Sequence, residues 1–351
     1  MTLLEHTMEF APIDRNADPL RVGIVGFGKV GQTRARCLAT LKGVSLEHVC
    51  DVNPACGALV REKRFSTDYR EVIDDPAVDA VFVSTFNNVA PDVVVAALHA
   101  GKHVFCEKPP GRSVSDIKRI ILAEQSNPDC KLQFGFNHRH HYAVMEAKTM
   151  IESGHLGQIL WMRGVYGKAG SEDFTRLWRS SPEIAGGGIL LDQGIHMLDL
   201  FRHFCGDFTD VRSLVRTMYW DIPLEDNAFA ILSNERGQTA LLHSSATQWK
   251  HRFSLEICLQ NGYVNINGIL SSTRSYGDES LTYARRPEPG TGGIIGCPRE
   301  EVILFDTDDS WVFEIKDFLR SITENQPVRW GTSADALRAM ELVEAIYRNG
   351  Q

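Results

Sequence analysis

The stretch Val22-Gly23-Ile24-Val25-Gly26-Phe27-Gly28-Lys29-Val30-Gly31 reads as a strand, a tight turn and the start of a helix. Val22, Ile24 and Val25 form a short buried strand, and the pattern from Val30 to Leu41 predicts a helix. Gly26, Gly28 and Gly31 have G-x-G-x-x-G spacing. The first glycine allows the turn, the second lets backbone approach a pyrophosphate, and the third lets helix pack on strand. The helix N-terminus offers unpaired N–H groups to phosphate. Asp51 follows Gly31 by roughly 20 residues, where an acidic side chain can bind a ribose hydroxyl. Gly26, Phe27, Gly28, Lys29, Val30, Gly31 and Asp51 therefore define a candidate dinucleotide site.

Short apolar runs alternate with helical patterns on either side of this turn. Leu46–Cys50, Asp79–Ser84, Lys102–Cys106 and Leu132–Phe136 read as strands, and Ala55–Arg64, Pro91–Ala100 and Ser115–Gln125 as helices. Continuous apolar strands between helices predict a doubly wound parallel sheet. Beyond residue 140 the pattern changes. After a helix at His141–Ser153 come longer strand-like runs at Gln158–Tyr166, Thr209–Tyr219, Asn227–Ser233, Thr239–Thr247, His251–Gln260 and Tyr263–Asn267. Direct turns such as Asn261-Gly262 link several of them, which predicts a large, open, mostly antiparallel sheet. Residues 284–299, rich in Pro, Gly and Arg, read as a surface loop, and Ser310–Ser321 and Ser333–Arg348 as helices. The expected organisation is an N-terminal extension (1–19), an α/β Rossmann domain (20–137) and an α+β domain with C-terminal helices (138–351).

The chain has 351 residues, 43% of them hydrophobic, and a formal net charge of -8. An acidic balance without long Lys/Arg runs argues against a nucleic-acid surface. No apolar stretch reaches the roughly 20 residues that span a bilayer, and the first residues do not resemble a secretion signal. The eight cysteines (37, 50, 56, 106, 130, 205, 258 and 297) form no C-x-x-C pair. Free thiols in a reducing, cytoplasmic setting are the expectation. The cluster His48, Cys50 and Cys56 matches no zinc spacing.

Three segments carry candidate chemistry. Cys106-Glu107-Lys108-Pro109-Pro110 follows a predicted strand, which puts Lys108 at the carboxyl end where ligands of parallel sheets bind. A solvated turn lysine would read the same way. Gly186-Gly-Gly-Ile-Leu-Leu-Asp192-Gln-Gly-Ile-His196-Met-Leu-Asp199 opens a helix, and Asp192 and His196 at i, i+4 project from one face. A carboxylate at that spacing can fix an imidazole tautomer; a capping aspartate above a core histidine is the alternative. Asn137-His-Arg139-His-His-Tyr142 stands where the parallel sheet ends, and polar groups at such a seam often line a substrate cleft. Its histidines have no carboxylate in register, so no metal is expected. Arg163, Tyr166, Trp178, Arg179 and Trp249-Lys250-His251 are further polar or aromatic candidates.

Taken together, Gly26-Phe27-Gly28-Lys29-Val30-Gly31, Glu107-Lys108-Pro109 and Asp192-Gln193-Gly194-Ile195-His196 resemble the Gfo/Idh/MocA family of nicotinamide-dependent oxidoreductases, from Val22 to the last helix. The resemblance implies a Rossmann domain followed by an α/β domain with a large, open sheet. It implies a catalytic set Lys108, Asp192 and His196, with Asp51 on the adenosine ribose. It adds Ser84, Thr85, Asn87, Glu107 and Lys108 as cofactor-binding positions. Phe86, Ala90 and Pro110 depart from the family pattern, which leaves the Ser84–Asn87 contacts open. No arginine adjoins Asp51-Val52-Asn53, so NAD is expected over NADP. Asn137, Arg139, Arg163, Tyr166, Trp178, Arg179 and His196 are the expected substrate contacts. The implied activity is hydride transfer between nicotinamide and a ring hydroxyl or ketone of a sugar. The substrate is a small sugar or, by a softer likeness to surface-carbohydrate enzymes, a nucleotide-linked sugar oxidised at C3. An NAD-dependent glycoside hydrolase and a non-catalytic NAD-sensing module are the alternatives. The open sheet predicts a homodimer or homotetramer.

Overall fold

A computed structural model describes residues 19–60, 63–171, 173–287 and 296–350. The N-terminal extension up to residue 18, and residues 288–295 of the expected surface loop, lie outside the described residues. The chain divides into two compact units. The first runs to Asn137 and takes in Glu183–Gly186 and Trp311–Leu337; the second comprises His138–Pro182, Gly187–Ser310 and the chain from Arg338.

In the first unit, β1 (Leu20–Val25) leads through the glycine turn into α1 (Lys29–Ala39). β2 (Val44–Cys50), β3 (Arg64–Ser66), α2 (Tyr69–Ile73), β4 (Ala80–Val83), α3 (Ala90–His99), β5 (His103–Glu107), α4 (Val114–Ser126) and β6 (Leu132–Gly135) follow. The six strands pair in parallel in the order β3-β2-β1-β4-β5-β6. The order reverses beside β1, so a crevice for ligand opens at the carboxyl ends of β1 and β4. The helix expected over Ala55–Arg64 is instead a 3-10 turn, Pro54–Leu59, followed by β3. Asn53 caps that turn by accepting the Ala55 N–H, and Gly57 sits in its middle, where helix propensity is poor. Gly31 permits the tight seat of α1, since a β-carbon there would lie 2.0 Å from the Gly26 carbonyl oxygen.

The second unit begins with α5 (Tyr142–Glu152) and β7 (Ile159–Ala169); the short α6 (Pro182–Ala185) comes next. A π-helical turn at Leu190–Gly194 leads directly into α7 (Ile195–Cys205). Seven more strands complete one sheet with β7: β8 (Asp210–Arg216), β9 (Asn227–Ser233), β10 (Thr239–Ser245), β11 (Thr247–Leu259), β12 (Gly262–Asn267), β13 (Glu279–Arg285) and β14 (Glu301–Phe305). Their order is β14-β13-β12-β11-β7-β10-β9-β8. All pairs are antiparallel except β10 with β7. β13 and β14 were not expected, because β13 hides at the edge of the Pro/Gly-rich segment. One face packs on α7 through buried Met162, Leu242 and Leu255. The other leaves Trp161, Leu214, Ile231, Leu241 and Val302 exposed.

α8 (Ser310–Thr323) and α9 (Ser333–Asn349) close the chain. Residues 311–337 group with the first unit, not with the second half where the order of elements had assigned them. The reason is packing. Ile315, Phe318 and Leu319 join Val22, Ile24, Phe82 and Phe105 in one buried cluster. Phe82 and Phe105 stack at 5.0 Å, and Phe318 meets both edge-on at 5.7 and 5.6 Å. Each such ring contributes about 2–3 kcal/mol by leaving water. Among the described residues, no helix is long and apolar enough to cross a membrane.

Candidate active site

In the first unit the glycine turn is built to receive a dinucleotide. Gly28 opens α1 without a side-chain cap, and a β-carbon added there would meet nothing within 4 Å. The first-turn N–H groups, which have no partner within the helix, are thus left beside open space. Asp51 is held at the turn, accepting the Phe27 N–H at 2.6 Å and the Asn53 N–H at 2.8 Å. A β-carbon on Gly26 would lie 2.5 Å from the Ser84 carbonyl oxygen, so the end of β4 abuts the turn. Ser84 Oγ is buried there and makes no hydrogen bond among the described residues. Asn87 points elsewhere, donating to the Ala185 carbonyl at 2.8 Å. The open glycine turn, the fixed carboxylate and the spare hydroxyl fit NAD.

Lys108 follows the last residue of β5, and its bond to Pro109 is cis. Glu107, expected as a cofactor contact, instead accepts Arg34 Nε at 2.6 Å. The fully buried Arg34 also donates from Nη2 to Glu314 at 2.7 Å, and its guanidinium lies 4.3 Å from the ring centres of both Phe105 and Trp311. Two carboxyl groups thus share one buried guanidinium. Burial pushes Glu314 up to about 8, with Arg34 opposing the shift and Glu107 adding to it. This cluster ties α1, β5 and α8 together and anchors the backbone from which Lys108 emerges.

In the second unit, the π-turn carries Asp192 and α7 carries His196. Short π segments often occur at functional sites. The entry to this one is anchored by Glu225, which accepts the Gly188 and Leu190 N–H groups at 2.9 and 3.0 Å and the Tyr347 hydroxyl at 2.8 Å. Asp192 accepts Lys168 Nζ at 2.7 Å and Arg179 Nε at 3.1 Å. His196 is buried and stacks on His138, with centroids 3.8 Å apart and planes 16° from parallel. Tyr166 adjoins both imidazoles, at 5.2 Å from His138 and 6.2 Å from His196. Tyr276 stands 5.4 Å from Tyr166, receives Gln193 Nε2 at 2.7 Å and touches His251 at 4.8 Å. Burial raises both phenols, Tyr276 to about 12. Burial, then the charge of Lys168, lowers His251. The cluster sets two phenols and three imidazoles beside a carboxylate paired with two cations.

Several expected substrate contacts lie elsewhere. Arg139 is buried in a two-pronged ion pair with Asp199, at 2.8 and 2.6 Å. Arg163 is on the outer face of the sheet, paired with Glu256 at 2.7 Å. Strand alternation puts it opposite Tyr166, three residues on. Asn137 is buried at the head of a 3-10 turn. Trp178 supports the Arg179 guanidinium at 4.4 Å. Lys168 escaped the sequence reading, although it stands two residues after Tyr166 and so shares its face. His138, Tyr276 and Gln193 emerge as neighbours only once the strands are paired.

This fold and arrangement define a two-domain nicotinamide oxidoreductase scaffold. Residues 20–136 match the oxidoreductase family with an NAD-binding Rossmann fold, and residues 144–265 match the GFO/IDH/MocA C-terminal domain. The chain belongs to the Gfo/Idh/MocA family. It is 31% identical over 233 residues to levoglucosan dehydrogenase of Pseudarthrobacter phenanthrenivorans, a match covering 62% of this chain and 59% of that protein. It is 38% identical over 151 residues to inositol 2-dehydrogenase of Salmonella typhimurium, covering 41% of this chain and 45% of that one. With myo-inositol 2-dehydrogenase of Thermotoga maritima it shares 26% identity over 320 residues, 88% of this chain and 90% of the relative. The solved structure of levoglucosan dehydrogenase with NADH and levoglucosan superposes with a TM-score of 0.84 at 22% identity, over 95% of this chain and 97% of the other.

Proposed function

We propose that this chain is an NAD-dependent dehydrogenase that moves hydride between nicotinamide and a ring hydroxyl or ketone of a sugar or polyol. The observation that carries the reading is Asp192, paired with Lys168 and Arg179 four positions before the buried, stacked His196. NAD, when bound, supplies the hydride acceptor. Loss of hydride from a carbinol carbon requires its hydroxyl proton to leave, and His196 is the group that takes it. Asp192 holds Lys168 and Arg179 at the π-turn that leads into the helix of His196. Lys108 donates to the substrate oxygen as alkoxide character develops. Asp51 selects NAD through the ribose. The narrower reading is a nucleotide-linked sugar oxidised at C3, and the exposed apolar face of the second sheet suits burial against another copy of the chain.

The test is a panel of sugars, inositols and nucleotide-sugars assayed for NAD reduction at the nicotinamide absorbance. A glycosidase assay runs in parallel. Substrate-dependent NADH formation without glycoside cleavage is expected. Cleavage with no net NADH, or NAD binding without turnover on any member, would overturn the reading.

A further inference from the structure

The Asp192 carboxylate faces more positive charge than it can balance. Lys168 Nζ lies 2.7 Å from one oxygen and Arg179 Nε 3.1 Å from the other. Lys168 and Asp192 have side chains only 16% and 17% exposed, whereas Arg179 is 38% exposed. The Arg179 guanidinium has two neighbours, Asp192 at Nε and the Trp178 ring, whose centroid lies 4.4 Å from Cζ. Nη1 and Nη2 make no hydrogen bond among the described residues. Held at Nε and flanked by the indole, the guanidinium keeps its Nη edge for another partner. Two parallel N–H donors on such an edge match the paired oxygens of a carboxylate or phosphate. Lys168 strengthens the field; its Nζ also lies 5.4 Å from the Phe174 ring, and its charge reaches His251.

We infer that the substrate is an anionic sugar derivative whose carboxylate or phosphate oxygens are received by the outer edge of Arg179, with Lys168 supplying the balancing charge. This rests on the dehydrogenase reading for the identity of the site. A sugar acid, a sugar phosphate and a nucleotide-linked sugar share the required oxygen pair, and a neutral sugar lacks it.

The experiment titrates glucose, glucuronate, glucose 6-phosphate and UDP-glucose into the full chain with NADH, following nicotinamide fluorescence. NAD reduction is measured separately with each probe. At least one charged probe is expected to bind about tenfold or more tightly than glucose. Whichever does so identifies the source of the anion. Arg179→Gln should abolish that preference while unfolding as cooperatively as the parent. If Arg179→Gln does not fold, Arg179→Lys takes its place; it keeps the charge but loses the planar edge, and must weaken the preference for the charged probe. No charged probe exceeding glucose, or a preference that survives the substitution, would overturn the inference. Turnover without charge preference leaves the dehydrogenase reading intact and removes this one. Charge-selective binding lost in Arg179→Gln, with no NAD reduction by any probe, does the reverse.

Discussion

His138 lies nearly flat against His196, their ring centroids 3.8 Å apart and their planes 16° from parallel. The stack restrains the plane of the imidazole proposed to take the substrate proton, and a proton acceptor misaligned by a small angle loses much of its effect. His138→Ala should therefore lower kcat by about tenfold, and His138→Phe, which keeps a flat ring, should recover most of it. Equal impairment of the two variants in steady-state kinetics would show that the stack has no positioning role.

His196→Ala and Lys108→Met each test the proposed proton and oxygen contacts. Each should reduce turnover by about 10²- to 10⁴-fold. NADH affinity, measured by fluorescence titration, should hardly move in His196→Ala. Wild-type turnover in either variant on a true substrate would remove that residue from the mechanism.

Asp51 accepts two backbone N–H groups at the glycine turn, at 2.6 and 2.8 Å. Asp51→Ala should raise the KM for NAD by about tenfold or more and narrow the discrimination against NADP. A KM for NAD equal to that of the parent, and an unchanged NAD/NADP ratio, would refute the ribose assignment.

Glu314 is an acid whose folded value, about 8, lies above its unfolded one because burial outweighs its bond to Arg34. A raised acid contributes stability that is present in full below the unfolded value and is lost as pH rises through the folded one. Denaturant unfolding should show the wild type losing stability between about pH 5 and 8, with a slope of at most about 1.4 kcal/mol per pH unit. Glu314→Gln, which carries no proton to lose, should be flat over that range. Parallel curves for the two proteins would contradict the assignment.

Glu279 behaves in the opposite sense. Burial alone would raise it, but His141 at 2.7 Å and the N–H groups of Ala143 and Leu270 together hold it below its ordinary value. Its stabilisation is present above the unfolded value and disappears as pH falls through the folded one. Glu279→Gln should cost about 1–3 kcal/mol at pH 7. That gap should close below about pH 4.5. A gap that stays constant to pH 3 in thermal unfolding would show that the carboxylate charge is not what matters.

The local grammar of the chain was readable where one element decides the outcome. The glycine spacing, the apolar parallel strands and the change of pattern near residue 140 each follow from turn chemistry or periodicity. Asp192 and His196 were visible because they lie within one helical segment. Arg34 and Glu314 were not: they stand 280 positions apart, and a charged residue on a helix reads as solvent-facing until the tertiary fold buries it. Arg139 and Arg163 show the converse limit. Their chemistry suited a ligand, but Asp199 and Glu256 lie far enough along the chain that no spacing rule pairs them. Lys168 lay within reach of a stricter use of strand alternation from Tyr166.

The return of residues 311–337 to the first unit bears on synthesis at the ribosome. Phe318 completes the aromatic wall begun by Phe82 and Phe105, and Glu314 supplies the second partner of Arg34. A nascent chain that has emerged only as far as residue 137 still lacks both. The coenzyme half must wait, with part of its interior uncovered, until the segment 311–337 has been translated. Excising it at residue 137 should yield a fragment prone to association instead of a portable NAD-binding module.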